Sequence, residues 1–315
     1  MSGTSRSKAV GAPLGPGSLL WSTAGDPRAL LTGSTAGILQ LMYPGLGAAI
    51  TDHSDFFEDP FARIFRSIPV IWASIFADED EGTEVGHKIR DFHPDVKGTD
   101  HAGRNYHALD PDVYWWAHAT FTWEMFRARE LYFPGKLSTA QREQLYAETV
   151  TWYRRYGVSD RPVPATVDEF DARFHEICAT ELELTPAVRW VLDPTKNPAA
   201  KTEDVQLPGA LRAFSGIASR AMAKSVHRIV YGSMPDVVRR RFDLPWTNGD
   251  RVGFAALSSA LMVSGPAIRR GAMSDMWPQG TPHLKPGTTD EVIIAGPGIR
   301  EKRLAEAAAE SATSG

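Results

Sequence analysis

Apolar residues recur along this chain at three- and four-residue steps, helix start signals precede those stretches, and strict alternation bounded by hairpin dipeptides is scarce. The pattern predicts a mostly α-helical protein. Asp110-Pro111-Asp112 offers an N-cap, a proline at the first helical position and an acid at the positive end of the helix dipole, just before VYWWAHATFTWEMFRARELYF. A helix is therefore expected from about residue 111 to about 132. Val113, Trp116, Ala117, Phe121, Ala128 and Leu131 form one apolar stripe, and Trp115, Phe126 and Tyr132 widen it almost all round, so burial is expected over the first half of the helix.

Two Ser/Thr-x-x-Gln/Glu capping boxes, Ser138 to Gln141 and Thr166 to Glu169, each open an amphipathic segment of about fifteen residues. Pro208 to Tyr231 has helical spacing and ends at Gly232, after which Pro235 starts VVRRRF. EVGHKIRDFHP reads as a helix that closes at Pro94, and Pro69 is expected to kink the helix that carries it. Residues 194–208 make a polar connector, with no composition shift strong enough to divide the chain. The organisation predicted is a disordered tail over 1–18, a single large helical domain over 19–298 and a frayed tail over 299–315.

Composition narrows the partners. Of 315 residues, 43% are hydrophobic and 23% charged, and the formal charge of -4 provides no basic field for a phosphate backbone, so nucleic acid is not an expected partner. Cys178 is the single cysteine, which excludes a disulfide framework and a thiolate metal site and fits a reducing, cytoplasmic compartment. The first eighteen residues lack the apolar core of a secretory signal, and no run approaches the length needed to span a bilayer. Nine tryptophans and fourteen phenylalanines suit a deep apolar pocket as well as a core.

Six of the nine histidines fall between positions 53 and 118. Imidazole both titrates near neutral pH and ligates transition metals, so the clustering points to histidine-bound iron, copper or zinc, set against the ordinary reading of surface or capped core histidines. His93 is either a ligand carried at a helix end or a histidine that interacts with that end's carbonyls, and Asp95 either supports it or is a loop acid. Arg63 and Arg66 stand three residues apart and share one helix face, as a pair of functional cations or as a solvated face paired with Glu58 or Asp59. His93-Pro94-Asp95 is also the HxD step of non-haem iron sites, although those belong to β-rich folds.

Read in order, LQLMYPGLGAAITDHSDFFEDPFARIFRS, HKIRDFHPDVKG, YHALDPDVYWWAHATF, LSTAQREQLYAE and YGVSDRPVPATVDEF resemble the catalytic domain shared by the fungal MpaB oxygenases and the bacterial latex clearing proteins, the rubber oxygenase family. The resemblance runs from about Thr35 to about Pro186 and more loosely to about residue 270. It implies an all-α fold with a globin-like core around haem b, and dioxygen chemistry on the double bonds of an isoprenoid or other lipid-like substrate, with an electron donor where one is needed. By position, it implies that His93 is the axial ligand and that Arg63, Arg66 and Ser67 are the distal residues. His53 resembles a family block and is expected to line the cofactor entrance. His118 is a buried histidine satisfied by a carbonyl, or a pocket residue or second axial ligand.

Two departures matter. The rubber-cleaving branch has lysine and threonine where this chain has Arg66 and Ser67, and arginine, unlike lysine, does not give up its proton. Tyr43 stands where many relatives have histidine, and is expected at the cofactor, where a phenol can hydrogen-bond or ligate iron but is not an imidazole. Polymer cleavage is therefore not carried over, and a non-catalytic haem or lipid carrier and a non-haem iron oxygenase remain the alternatives.

Overall fold

In the computed structural model, residues 9–54, 56, 57, 60–193 and 215–271 are described, without the side chains of 60–66, 69, 215–220, 222 and 266–271. Among them, helices α1 (Leu19–Ala24), α2 (Leu30–Met42), α3 (Pro44–Asp52), α4 (Pro60–Phe76) and α5 (Glu79–Asp91) precede a small hairpin, β1 (Lys97–Thr99) and β2 (Asn105–His107). Then come α6 (Pro111–Tyr132), α7 (Thr139–Arg155), α8 (Val167–Thr180), α9 (Pro186–Leu192), α10 (Ser215–Ser233), α11 (Asp236–Arg241) and α12 (Asn248–Gly271). The all-α expectation holds. The connector at 194–208, the start of the segment from Pro208 and the tail over 299–315 lie outside the described residues.

Helix α6 is the central element, packed against α1, α2, α3, α7 and α12. It starts as the sequence predicts, with the Asp110 carboxylate accepting from the Asp112 and Val113 amides and Pro111 in the first turn. Its burial is not confined to the first half. Met125, Ala128 and Tyr132 are as sealed as Trp116, because α2 and α12 also pack on this helix, a tertiary effect that local periodicity does not contain.

The Ser138 capping box at α7 is complete. At α8, Thr166 accepts from the Glu169 amide, but the Glu169 carboxylate accepts from the Ala165 amide, one residue before the cap. Helix α4 runs through Pro69 as one element. Residues 9–17, read as part of a loose tail, form no helix or strand, yet the Ala12 amide donates to the Ala147 carbonyl and the Thr151 hydroxyl donates to the Ala12 carbonyl.

Helix α7 ties the site-bearing elements together. The Glu148 carboxylate accepts from the Leu19 and Leu20 amides at the start of α1. At the other end of α7, the Arg155 guanidinium donates to the carbonyls of Ser74, Ile75 and Ala77, the groups left without helical partners where α4 ends. Val70 and Ala73 of α4 pack on Val85 of α5, with Ile89 beside them. Gly82 and Gly86 let α5 approach α7, since a Cβ at Gly86 would overlap the Arg155 carbonyl.

The hairpin was not predicted. Its register pairs Lys97 with His107 and Thr99 with Asn105, and the turn is held by Asp100, which accepts from the Ala102 and Arg104 amides and from the Arg104 guanidinium. Three-residue strands are too short to show alternation.

Candidate functional site

His93 lies just beyond the C-cap of α5 at Phe92. Its Nδ1 is 2.7 Å from the Ile89 carbonyl oxygen, and because a carbonyl only accepts, Nδ1 carries the proton. Burial lowers the pKa of this histidine, against the opposing effect of the Ile89 and Arg90 carbonyls, so the ring is neutral and Nε2 holds a lone pair. No hydrogen bond to Nε2 is seen among the described residues. The ring meets Tyr114 of α6 edge-on, with centroids 5.8 Å apart. Asp95 is exposed and gives the His93 ring no hydrogen bond.

His118, on α6, has the opposite tautomer. Its Nε2 donates to the Thr149 carbonyl at 3.0 Å, while Nδ1 is buried without a partner. Burial depresses its pKa to about 3. Trp152 and Tyr153 of α7 and Tyr156 at its C-cap cage the ring at centroid distances of 4.6, 5.0 and 5.7 Å. Beside it lies a cavity of about 10 Å³, bordered also by Trp115, Thr122 and Tyr146, with room for one water.

Tyr43 and His53 are elsewhere. Tyr43 joins α2 to α3, stacks on Trp116 at 5.8 Å, and has its phenol pKa raised to about 12, chiefly by burial. It borders a cleft of about 460 Å³ with Asp100, Arg104, Tyr106, Asp110 and Glu183. His53 is exposed, with Nε2 3.3 Å from the Lys97 carbonyl and its ring edge-on to Tyr106. Neither has a hydrogen bond or ring contact to His93 among the described residues.

Ser67 is partly buried on α4, while the side chains of Arg63 and Arg66 lie outside the described residues. Their backbone positions can still be related to His93. Helices α4 and α5 form a hairpin whose contacts pair Val70 and Ala73 with Val85 and Ile89, so the earlier turns of α4 lie alongside the last turn of α5. At 1.5 Å per residue, Arg63 and His93 each stand roughly 20 Å from the connection between the two helices.

Sequence reading missed the aromatic residues that surround His118. The signal was present in TWYRRY, where Trp152, Tyr153 and Tyr156 fall on one face of α7 and its C-cap. Aromatic spacing of that kind also marks an ordinary core, and only the packing of α5, α6 and α7 shows which histidines the rings enclose.

A family model described as the catalytic domain of ER-bound oxygenase mpaB/B′ and rubber oxygenase matches residues 21–263. That match covers most of the chain, and the protein belongs to this family of oxygenase catalytic domains. It is therefore an enzyme of the oxidoreductase class, using dioxygen and a small-molecule substrate. No curated protein and no solved structure matches it.

Proposed function

We propose that this protein is a haem b-dependent oxygenase of an apolar, isoprenoid or lipid-like substrate, in which His93 would hold the haem iron. The observation that carries the reading is the His93 imidazole, neutral, with Nδ1–H committed to the Ile89 carbonyl and Nε2 left with its lone pair. Metal-bound histidines commonly hold their second nitrogen in this way, which orients the ring and raises its basicity, so the donor fits a haem iron. Bound there, haem supplies the binding and activation of dioxygen.

The chain's own residues provide orientation and charge. Tyr114 braces the His93 ring, and α7 holds α5 through the close approach at Gly82 and Gly86. Arg63 and Arg66, three apart on α4, would supply positive charge and N–H donors for haem propionates, and Ser67 would supply a hydroxyl beside the bound group. In this reading His118 supports the core, with its Nε2 proton held by Thr149. Tyr43 borders the cleft beside Tyr106, and His53 adjoins it. The HxD alternative gains no support, since no three His, Cys, Asp or Glu side chains converge as a metal site among the described residues.

The test is the absorption spectrum and iron content of the purified protein. A Soret band that is lost in His93→Ala and kept in His118→Ala supports the assignment; the reverse order makes it wrong. Oxygen uptake with unsaturated isoprenoids, measured on the haem-loaded protein, then separates an oxygenase from a carrier.

A further inference from the structure

From His93 a continuous series of oxidisable rings leads inward. Tyr114 meets His93 at 5.8 Å and Tyr156 at 5.5 Å, Tyr156 meets Trp152 at 6.4 Å, and Trp152 meets Trp72 at 6.4 Å. Tyr153 runs parallel to this path, 6.3 Å from Tyr114 and 6.2 Å from Tyr156. All five tyrosine and tryptophan rings are buried, Tyr114 the most exposed of them at 8%. Apolar packing alone is met by phenylalanine or leucine, without the cost of desolvating a hydroxyl or an indole N–H. Here three of the five polar atoms have partners of their own: Trp152 Nε1 donates to the Ser74 hydroxyl at 2.8 Å, Trp72 Nε1 to the Ala24 carbonyl at 3.0 Å, and the Tyr153 hydroxyl to the Ser159 carbonyl at 3.0 Å.

We propose that Tyr114, Tyr156 and Trp152 form an electron-transfer chain that re-reduces the cofactor held at His93 when it is oxidised in the absence of substrate, leaving the oxidising equivalent on Trp152. The proposal rests on the haem reading above. Hydrogen peroxide is the oxidant: its reduction to two waters takes two protons from solvent and two electrons, both drawn first from the cofactor, of which one is returned by the Trp152 indole by way of Tyr156 and Tyr114 and the other by an external one-electron reductant such as ascorbate. The indole is left as a radical cation whose N–H stays in its hydrogen bond to Ser74, and a one-electron reductant such as ascorbate restores it.

The surroundings favour Trp152 as the resting place. Tyr153 and Tyr156 have their phenol pKa raised, mainly by burial, so that loss of a phenolic proton is disfavoured, whereas an indole is oxidised without losing one. The ring packed closest to Trp152, His118, is neutral and places no positive charge against it. Arg155, which also reaches Ser74, has its charge opposed by three carbonyl oxygens at the end of α4.

The experiment mixes the haem-loaded protein with hydrogen peroxide, freezes it within milliseconds and records the electron paramagnetic resonance spectrum. An organic radical with tryptophan hyperfine structure is expected, falling several-fold in Trp152→Phe, while haem bleaching becomes several-fold faster. Tyr114→Phe and Tyr156→Phe, which remove only a hydroxyl, are expected to slow the appearance of the radical and keep the fold if Trp152→Phe does not. Radical yields equal to the parent in all three variants, or no organic radical in fully haem-loaded protein, overturn the chain while leaving the haem reading intact. A purified protein with no Soret band overturns both.

Discussion

Glu124 and His118 are both sealed inside α6, and burial moves their pKa values in opposite directions. The Glu124 carboxyl is pushed up to about 8 and the His118 imidazole down to about 3, so each is neutral in the fold at neutral pH. For Glu124, whose folded pKa is raised, stability is fully present below its ordinary value near 4.5 and is lost as pH rises towards about 8. For His118, whose folded pKa is lowered, stability is fully present above its ordinary value near 6.5 and is lost as pH falls towards about 3. Glu124→Gln is therefore expected to raise the melting temperature by several degrees at about pH 9 and to change it little at about pH 5. Equal shifts at both would mean that the carboxyl does not titrate in this window.

Arg66 offers a residue-scale test of the distal assignment. Arg66→Lys keeps the charge and replaces a planar fork with a compact ammonium, so a changed ferric absorption spectrum is expected, with melting within a few degrees of the parent, as for roughly a 1 kcal/mol change in stability. An unchanged spectrum and unchanged turnover remove Arg66 from the haem environment. At this scale the sequence identified His93 as a helix-end histidine, and the structure agrees. It had no means of showing which ring nitrogen carries the proton, because the Ile89 carbonyl is positioned by the local backbone geometry where α5 ends.

At the scale of elements, the position of His93 depends on how closely α5 lies on α7. Gly86→Ala sets a methyl group against the Arg155 carbonyl, which cannot swing away as a side chain does, so a loss of about 1–3 kcal/mol is expected, seen as a lower urea midpoint. In the haem-loaded protein the same variant is expected to weaken retention of haem, because the end of α5 moves with the helix. Gly37, inside α2, is the contrast. Nothing lies within 4 Å of a Cβ added there, so Gly37→Ala is expected to be neutral or to stabilise by up to about 1 kcal/mol. If Gly86→Ala is as mild as Gly37→Ala, the close approach is not what seats α5. Helix starts at Asp110 and Ser138 were legible because caps are local chemistry, whereas the ties from Glu148 to α1 and from Arg155 to α4 join residues far apart in sequence.

For the molecule as a whole, α6 is wrapped by α1, α2, α3, α7 and α12, with buried residues along its length from Val113 to Tyr132. Its central amides should open only with global unfolding, and hydrogen exchange is expected to be slowest there and much faster in the exposed hairpin of β1 and β2. Comparable rates in the two would remove α6 from its central role. No helix among the described residues is long and apolar enough to cross a membrane.

Sequence by itself determined the helical class, the starts of α6 and α7 and, through five ordered blocks of residues, membership of the oxygenase family, all of which rest on side-chain periodicity, caps or linear order. Tertiary structure alone decided that His93 meets Tyr114, that His118 is enclosed by Trp152, Tyr153 and Tyr156, and that Tyr43 and His53 fall beside the cleft at Tyr106. The physical reason is that burial and ring contacts are set by groups distant in sequence, and for His118 so is the tautomer. The carbonyl that fixes the His118 proton belongs to Thr149, and only the packing of α7 on α6 brings it within 3.0 Å.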